Sequence, residues 1–330
     1  MIKMRHAAGL AAGLATLTFW LPFAASAAEW RPQKNVEVVS ASAAGGAADG
    51  TARLVQRLLQ EKKLIPVSSV VVNKPGGQQT VAMAYLAQQA GDGHTIAVAS
   101  TPLLSNHITG ASKQHYADFT PLALLFTEYV SLSVRSDSPI KDARDLIERM
   151  KKDPASLSFG VGTSIGGINH IGAALGMKAG GVDIRRMKAI VFNSSGQAAT
   201  TVLGGHMDVV ASLVNVAVPQ VEGGRLRALV VSAPQRMPGP LANVPTWKEL
   251  GFDAVVVNWR MIMGPGGMSP AQIGYWDGVM KTLIATAEWR DDLRRNYQEA
   301  AYIPSTGMRH FLDGQYEQFR TILTELGAVK

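Results

Sequence analysis

Cysteine is absent from the 330 residues of this chain, which excludes disulfides, thiolate nucleophiles and cysteine-ligated metal sites. Charged residues are also scarce, at 17% of the chain. The net charge is +7, but the cations are scattered and form no basic stripe interleaved with aromatic residues. We therefore expect no nucleic-acid partner. A weak positive field of this kind attracts anions without selecting among them.

The histidines are too dispersed for a metal centre. Those in the body of the chain are His94, His107, His115, His170, His206 and His310. No two of them stand one helical turn apart, so we expect neither a metal site nor a metal cofactor. Only His170, at the start of a predicted helix, is kept as a candidate donor to a bound carboxylate. Packing or capping within the protein explains the same position equally well.

The amino-terminal segment has the parts of a secretory signal peptide. Lys3 and Arg5 precede an apolar stretch and then a run of small residues. This order is typical of a cleaved export signal, and we expect cleavage near Ala27 or Ala28 and a periplasmic mature protein. Removal of the two cations leaves 30 basic against 25 acidic residues, a net charge of +5. The alternative is a retained membrane anchor, because the stretch over residues 7–28 is long enough to span a bilayer.

Beyond this signal, short apolar runs alternate with segments of helical periodicity. Such alternation predicts parallel sheets covered by helices. The pattern starts twice, and segments near residues 126–129 and 254–259 are placed to cross between the halves. The predicted strands span residues 36–39, 69–72, 95–99, 122–126, 129–134, 157–161, 189–192, 208–211 and 227–231. The predicted helices span residues 49–63, 81–89, 142–152, 169–179, 197–203, 270–286, 288–296 and 308–326. We predict an α/β protein of two lobes, each with a mostly parallel sheet flanked by helices, and a ligand cleft between them.

Three loops share a pattern in which a strand is followed by small or hydroxyl residues with glycine, and then by a helix. They cover residues 43–49, 162–167 and 193–196. Unpaired amide N–H groups at a helix N-terminus favour anions, and in α/β sheets these loops lie where ligands bind. Three such loops favour a carboxylate site, although each loop alone fits plain N-capping. The candidate ligand-binding residues are Ala44, Gly45, Gly46, Asp49, Ser100, Thr101, Thr163, Ser164, Gly166, Gly167, His170, Asn193, Ser194, Ser195 and Ser212.

The second loop also matches the G-x-S-x-G pattern of a serine hydrolase. Ser164 would be the nucleophile, with Asp208 and His310 following in the order that such enzymes use. However, His310 lies in a segment of helical periodicity, and no histidine-glycine-glycine motif supplies an oxyanion hole. A binding protein without catalytic residues is therefore favoured, and a serine esterase is an alternative. A dinucleotide site is disfavoured, because no acid follows the strand that ends at Phe192.

Seven segments, in order along nearly the whole mature chain, resemble the tripartite tricarboxylate transporter substrate-binding proteins, also called the Bug family. They are AGGAAD at 44–49, VNKPGG at 72–77, GDGHT at 91–95, DFTPL at 118–122, LGGHMD at 203–208, GGRLRAL at 223–229 and NVPT at 243–246. The shared order and spacing make this resemblance far more specific than any one glycine motif.

The resemblance implies a type II periplasmic-binding fold that closes like a Venus flytrap on a small carboxylate. Lobe 1 would comprise residues 29–128 and 258–330, and lobe 2 residues 129–257. Backbone amides and hydroxyls of residues 44–49 and 163–167 would hold the carboxylate. The implied partners are the permease subunits of a tripartite tricarboxylate transporter, with the receptor itself a monomer.

Two departures from the family pattern concern the ligand. The first loop has Ser40-Ala41-Ser42-Ala43 where many relatives carry an aromatic residue or proline, and the second, with Thr163-Ser164-Ile165, is one residue longer than the common form. Both changes fall where the far end of a ligand would lie. A di- or tricarboxylate, an amino acid and an aromatic acid all stay open, as does a sensor that serves a membrane kinase instead of a permease.

Overall fold

The computed structural model describes residue 1 and residues 30–329. The predicted signal peptide and its cleavage site lie outside the described residues. Between residues 30 and 329, none of the helices has both the length and the apolar character that crossing a bilayer requires.

The described part of the chain forms ten strands and ten α-helices. The strands are β1 (Val36–Ser40), β2 (Ser69–Asn73), β3 (Thr95–Ser100), β4 (Thr120–Arg135), β5 (Ser158–Gly162), β6 (Lys188–Phe192), β7 (Val209–Leu213), β8 (Leu226–Val231), β9 (Val257–Gly264) and β10 (Glu299–Pro304). The helices are α1 (Ala47–Glu61), α2 (Thr80–Ala87), α3 (Pro102–Ile108), α4 (Ala143–Lys152), α5 (Ile168–Ala179), α6 (Ser195–Leu203), α7 (Val214–Glu222), α8 (Pro270–Ile284), α9 (Ala287–Arg295) and α10 (Ser305–Glu325).

The strands follow the order β2-β1-β3-β9-β4-β7-β5-β6, and β8 and β10 also pair with β4. Parallel strands make up each end of this order: β2, β1 and β3 at one end, and β7, β5 and β6 at the other. The antiparallel strands β9 and β4 join the two ends. This α/β arrangement confirms the predicted fold class, and the two ends are called the first half and the second half below.

β4 belongs to both halves. Its residues up to Tyr129 pair with β9, and those from Val130 onward pair with β7. The sequence predicts two strands here, because Thr127 and Glu128 interrupt the apolar run, whereas the structure has one strand of 16 residues. The predicted lobe boundary at residue 128 lies beside this change of partner, and it stays a prediction.

Alternation along the strands divides the core of the first half between two faces. Ile96 and Val98 of β3 pack with α1, α8 and α9, while Ala97 and Ala99 pack with α3 and α10. Helix α1 is amphipathic and buries Leu54, Val55, Leu58 and Leu59, each worth about 1.5–3 kcal/mol when fully buried. This packing fixes the position of α1, and with it the loop that precedes the helix.

Three elements of the structure were not predicted: α3, α7 and β10. No glycine or side-chain cap marks the start of α7, and Pro219 lies inside that helix. Proline ordinarily argues against a helix interior, although it is tolerated near an end. In addition, α1 begins at Ala47, two residues before the predicted start, and the segment at residues 254–259, predicted only to cross between the halves, contains the first residues of β9.

Candidate functional site

The loop between β1 and α1 is held together by Asp49. Its Oδ2 accepts from the Gly45 amide at 2.9 Å and from Arg53 Nε at 2.8 Å. Its Oδ1 accepts from Asn73 Nδ2 at 2.7 Å. The Asp49 amide in turn donates to Ser42 Oγ at 3.0 Å. The side chain of Asp49 thus closes the loop onto the first turn of α1.

The carboxylate of Asp49 is committed to these contacts. The residue is 1% exposed, and the hydrogen bond from Arg53 lowers its pKa from 3.8 to about 2. Both oxygens of this buried, ionised acid already accept hydrogen bonds from the protein. Asp49 is therefore suited to holding the loop in a conformation in which other backbone amides are free to donate to an anion. A direct contact between Asp49 and ligand stays a prediction.

Gly46 is the N-cap residue of α1 and provides no side-chain cap. The preceding residues Ala44 and Gly45 are exposed, and Gly45 has φ +82°. A Cβ on Gly46 would lie 2.7 Å from Ser42 Oγ, so this glycine is required by the packing of the loop on itself. The result is a helix N-terminus whose first two amides, those of Ala47 and Ala48, are open to solvent or to a ligand, while the Asp49 amide is bonded to Ser42.

The loop between β5 and α5 repeats this design. Gly167 is the N-cap residue of α5 and provides no side-chain cap, and a Cβ on it would lie 2.7 Å from Ser164 Oγ. Thr163 has φ +71°, a strained conformation for a β-branched residue. The Gly166 amide donates to His170 Nδ1 at 3.0 Å. By accepting from the Gly166 amide, the His170 side chain closes the second loop, as the Asp49 side chain closes the first by accepting from the Gly45 amide.

His170 is a neutral acceptor. Burial lowers its pKa from 6.5 to about 4, and Nδ1 must lack a proton to accept from Gly166. The position of His170 in the sequence fits either a donor to a carboxylate or a capping residue, and the structure assigns Nδ1 to the capping role.

Ser164 Oγ donates to Gln78 Oε1 at 2.9 Å, and the hydrogen bond joins the two halves of the protein. Within residues 30–329, no histidine is hydrogen-bonded to Ser164, and His310 is exposed on α10. Asp208 accepts from the amide and hydroxyl of Ser158. The three residues proposed for an esterase therefore do not form a triad in this structure.

The third predicted loop, between β6 and α6, is largely satisfied internally. Ser194 caps α6 by accepting from the Gln197 amide, and the Asn193 amide donates to Gln197 Oε1 at 3.1 Å. Ser195 Oγ accepts from Asn169 Nδ2 at 2.8 Å. The residues that the sequence singled out here thus serve the start of α6 and brace α5.

Ser100 and Thr101 belong to buried hydrogen-bond networks. Ser100 is bonded to the Gln79 side chain through both its amide and its hydroxyl. Thr101 Oγ1 donates to Asn258 Oδ1 at 3.0 Å, and Asn258 Nδ2 donates to Glu128 Oε2 at 2.7 Å. These residues tie β3 to the strands that join the halves.

A cavity of about 280 Å³ lies between the starts of α1 and α7. Gly45, Gly46, Glu128, Asn215 and Arg260 are among its lining residues. Helix α7 has no side-chain cap, and Asn215 Oδ1 is buried without a hydrogen-bond partner among the described residues. The structure thus brings the first predicted loop together with an unpredicted helix of the second half.

Two predicted features, a link between the first two loops and a role for Ser212, have no hydrogen bond to support them in the described chain. In the described chain no hydrogen bond joins residues 43–49 to residues 162–167. Ser212 is 0% exposed, and its Oγ has no partner among residues 30–329. It is the penultimate residue of β7, just ahead of α7, and nothing else in the structure gives it a role.

Sequence reasoning missed Gln78, Glu128, Asn215 and Arg260. Arg260 offered a usable signal, because it is a charged residue inside a largely apolar strand, and a buried charge requires a partner. Gln78 and Asn215 offered none, since each is an ordinary polar residue next to a turn or an apolar run.

Comparison with known proteins gives consistent results. The model of the tripartite tricarboxylate transporter family receptor matches residues 51–328. The chain is 26% identical over 324 residues to a UPF0065 protein of Cupriavidus necator, covering 98% of this chain and 97% of the relative.

The fold matches a TctC solute-binding protein from Polaromonas with TM-score 0.77 and 24% identity over 89% of this chain and 99% of that one. It also matches a protein of R. palustris solved with adipate, with TM-score 0.76 and 23% identity over 90% and 98% of the two chains. The family and the fold are those of substrate-binding receptors, and this chain belongs to the tripartite tricarboxylate transporter receptor family.

Proposed function

We propose that the protein is a periplasmic solute-binding receptor that holds a small carboxylate between two lobes and delivers it to the permease subunits of a tripartite tricarboxylate-type transporter. The observation that carries the proposal is the cavity between the start of α1 and the start of α7. Both helices begin without a side-chain cap, and open helix N-termini favour anions.

The relatives support a carboxylate ligand. One structural neighbour was solved with adipate, which carries a carboxylate at each end. Binding at micromolar affinity requires about 8 kcal/mol. Several charge-assisted hydrogen bonds, at about 1.5–3 kcal/mol each, supply much of this before ordering costs.

The proposed lobes comprise residues 29–128 with 258–330, and residues 129–257. The change of partner along β4 at Tyr129 and Val130 supports this division. Residues 44–49 and 163–167 are the proposed facing loops, and the hydrogen bond from Ser164 to Gln78 supports an approach of the two lobes in this region.

A thermal-shift screen of the mature protein tests the ligand class. The panel pairs carboxylates with neutral amides of the same shape, such as adipate with adipamide. A cognate acid at one hundred times its Kd adds about 2.7 kcal/mol of stability, and its amide adds none. If no acid raises the melting temperature while neutral or cationic solutes do, the carboxylate proposal is wrong.

Export is tested separately by mass spectrometry of the periplasmic fraction. We expect a chain that begins within a residue or two of Ala28, because small residues precede that position. Recovery of the intact chain in the membrane fraction contradicts the proposed location without bearing on the ligand.

A further inference from the structure

The guanidinium of Arg260 is buried and has almost no hydrogen-bond partners. The side chain is 9% exposed. Nη1 donates to the Trp259 carbonyl at 3.4 Å, and Nη2 lies 3.8 Å from Glu128 Oε2, which is beyond hydrogen-bond range. Of the five N–H donors of an arginine, four are left without an acceptor in the described chain. The side chain is largely buried while its unpaired donors keep contact with solvent, so an anion that enters can accept from them.

The carboxylate oxygens of Glu128 accept hydrogen bonds from residues other than Arg260. Its Oε1 accepts from Gln298 Nε2 at 2.7 Å, and its Oε2 accepts from Asn258 Nδ2 at 2.7 Å. These two amides hold the carboxylate against the joining strands. Glu128 therefore offers Arg260 a nearby opposite charge but leaves the guanidinium N–H groups free to bond elsewhere.

Arg260 lines the cavity that the starts of α1 and α7 also bound. The remaining acid of that lining, Asp292, accepts from Arg295 Nη2 at 3.3 Å and from Asn296 Nδ2 at 3.1 Å. Both acids of the lining thus have their own donors. The donors left unmatched are the guanidinium and the open helix N-termini, which favour anions, while Asn215 Oδ1 is the unmatched acceptor of this lining.

These donors outnumber the acceptors of one acid group. A carboxylate accepts about four hydrogen bonds; the planar fork of the guanidinium gives one carboxylate two of them, and its other N–H groups and the first amides of α1 remain for a further acid group. We infer that Arg260 binds a second carboxylate of the ligand and makes the receptor selective for dicarboxylates over monocarboxylates. This inference rests on the proposed function, and it names the ligand class within it.

The test compares acids of equal length by calorimetry: adipate with hexanoate, and succinate with butyrate. In the wild type, the dicarboxylate of at least one pair binds tenfold or more tightly. In Arg260→Gln this preference falls at least tenfold, which corresponds to about 1.4 kcal/mol, while the affinity for the monocarboxylate stays within about twofold. Arg57→Gln removes an exposed arginine of α1 that pairs with Glu61, and as the matched control it keeps the wild-type preference.

A purely structural role for Arg260 gives a different result. If the arginine serves only to neutralise Glu128, Arg260→Gln lowers the melting temperature, the double variant Glu128→Gln/Arg260→Gln restores it, and the preference between acids is unchanged in both. That outcome overturns the inference.

Arg260→Lys provides a second measurement should the glutamine variant fail to fold. Lysine keeps the charge but loses the planar fork, so the preference falls at least threefold, and an unchanged preference again rejects the inference. Failure of the proposed function is recognised in the wild type alone, as the absence of binding to every acid in the panel.

Discussion

Ser164 and Gln78 join the two halves of the protein through one hydrogen bond of 2.9 Å. Both ends of this bond lie in strained backbone. Gln78 has φ +48° and Thr163, next to Ser164, has φ +71°, and each such residue costs about 1–3 kcal/mol. Backbone strain of this kind persists only where surrounding contacts hold the residue in place. We therefore interpret the meeting of the two loops at this hydrogen bond as a fixed feature of the fold.

The Ser164–Gln78 bond predicts energetic coupling between the two residues. Ser164→Ala and Gln78→Ala each lower the free energy of unfolding, and the double variant loses less than the sum, by about 0.5–1.5 kcal/mol. Chemical denaturation of the four proteins measures the coupling. A control cycle combines Gln78→Ala with Ser194→Ala, which removes the cap of α6. In that cycle we expect the two losses of unfolding free energy to be additive.

The same Ser164→Ala variant decides between receptor and esterase. We expect it to weaken ligand binding, and we expect neither the variant nor the wild type to hydrolyse a chromogenic ester, because no histidine in the described chain contacts Ser164. Ester hydrolysis by the wild type that disappears in the variant would falsify the assignment of the protein as a receptor without enzymatic activity.

Asp49 is predicted to stabilise the protein in a pH-dependent way. Its folded pKa of about 2 is below the ordinary 3.8, so its contribution is fully present above about pH 4 and is lost as the pH falls towards 2. Asp49→Asn cannot accept from Gly45, Arg53 and Asn73 at once, and it costs about 1–3 kcal/mol at neutral pH. Denaturation at several pH values measures how the cost shrinks in acid.

The chain contains a matched control for Asp49. Asp145 in α4 accepts from the amide four residues before it and from the arginine four residues after it, as Asp49 does, but it is only partly buried. Asp145→Asn therefore costs less than Asp49→Asn. Equal losses in the two variants contradict the role given to burial and to Asn73.

His170 predicts a second pH effect in a separate range. Its folded pKa of about 4 is below the ordinary 6.5, so the unfolded chain binds more protons between these values, and stability falls as the pH drops from about 6.5 to about 4. His170→Asn keeps an acceptor near the Nδ1 position for the Gly166 amide but cannot titrate. Its stability is flatter over this range, as followed by melting temperature against pH. An unchanged slope in the variant shows that His170 is not the group responsible.

Gly46 is predicted to be required for stability. Its φ is ordinary at −78°, but a Cβ there meets Ser42 Oγ at 2.7 Å, so Gly46→Ala lowers the free energy of unfolding by about 1–3 kcal/mol. Gly278→Ala in α8, where nothing lies within 4 Å of the added Cβ, raises it by up to about 1 kcal/mol. A Gly46→Ala protein of wild-type stability that has lost ligand binding contradicts this and places the Cβ against the ligand instead.

The sequence predicted the regular elements better than the contacts between them. Strands β1 to β3 were found because valine-rich runs of the right length end in turn residues, and the loops that follow them were found for the same reason. β4 was divided in two because Glu128 seemed incompatible with a buried strand. Its burial depends on Gln298 and Asn258, which are remote in the sequence and therefore invisible to a local pattern.

The candidate residues lie in loops and at the adjoining ends of strands and helices, and their roles depend on side-chain directions that no pattern of residue types contains. Asp49 and His170 both turn back onto their own loops, which leaves the backbone as the exposed donor. Helix α7 escaped prediction because its first residues continue an apolar run, so the cavity that it completes could not be inferred.

The single course of β4 through both halves also determines how the chain can fold. β3 finds its second neighbour only in β9, where Ala97 pairs with Met263, and β9 is synthesised after the whole second half. The sheet of the first half thus stays open at one edge until this distant strand pairs, and pairing between such distant segments is slow. Because the two halves share one strand, neither can be cut out without dividing β4, and we expect them to unfold in one cooperative transition.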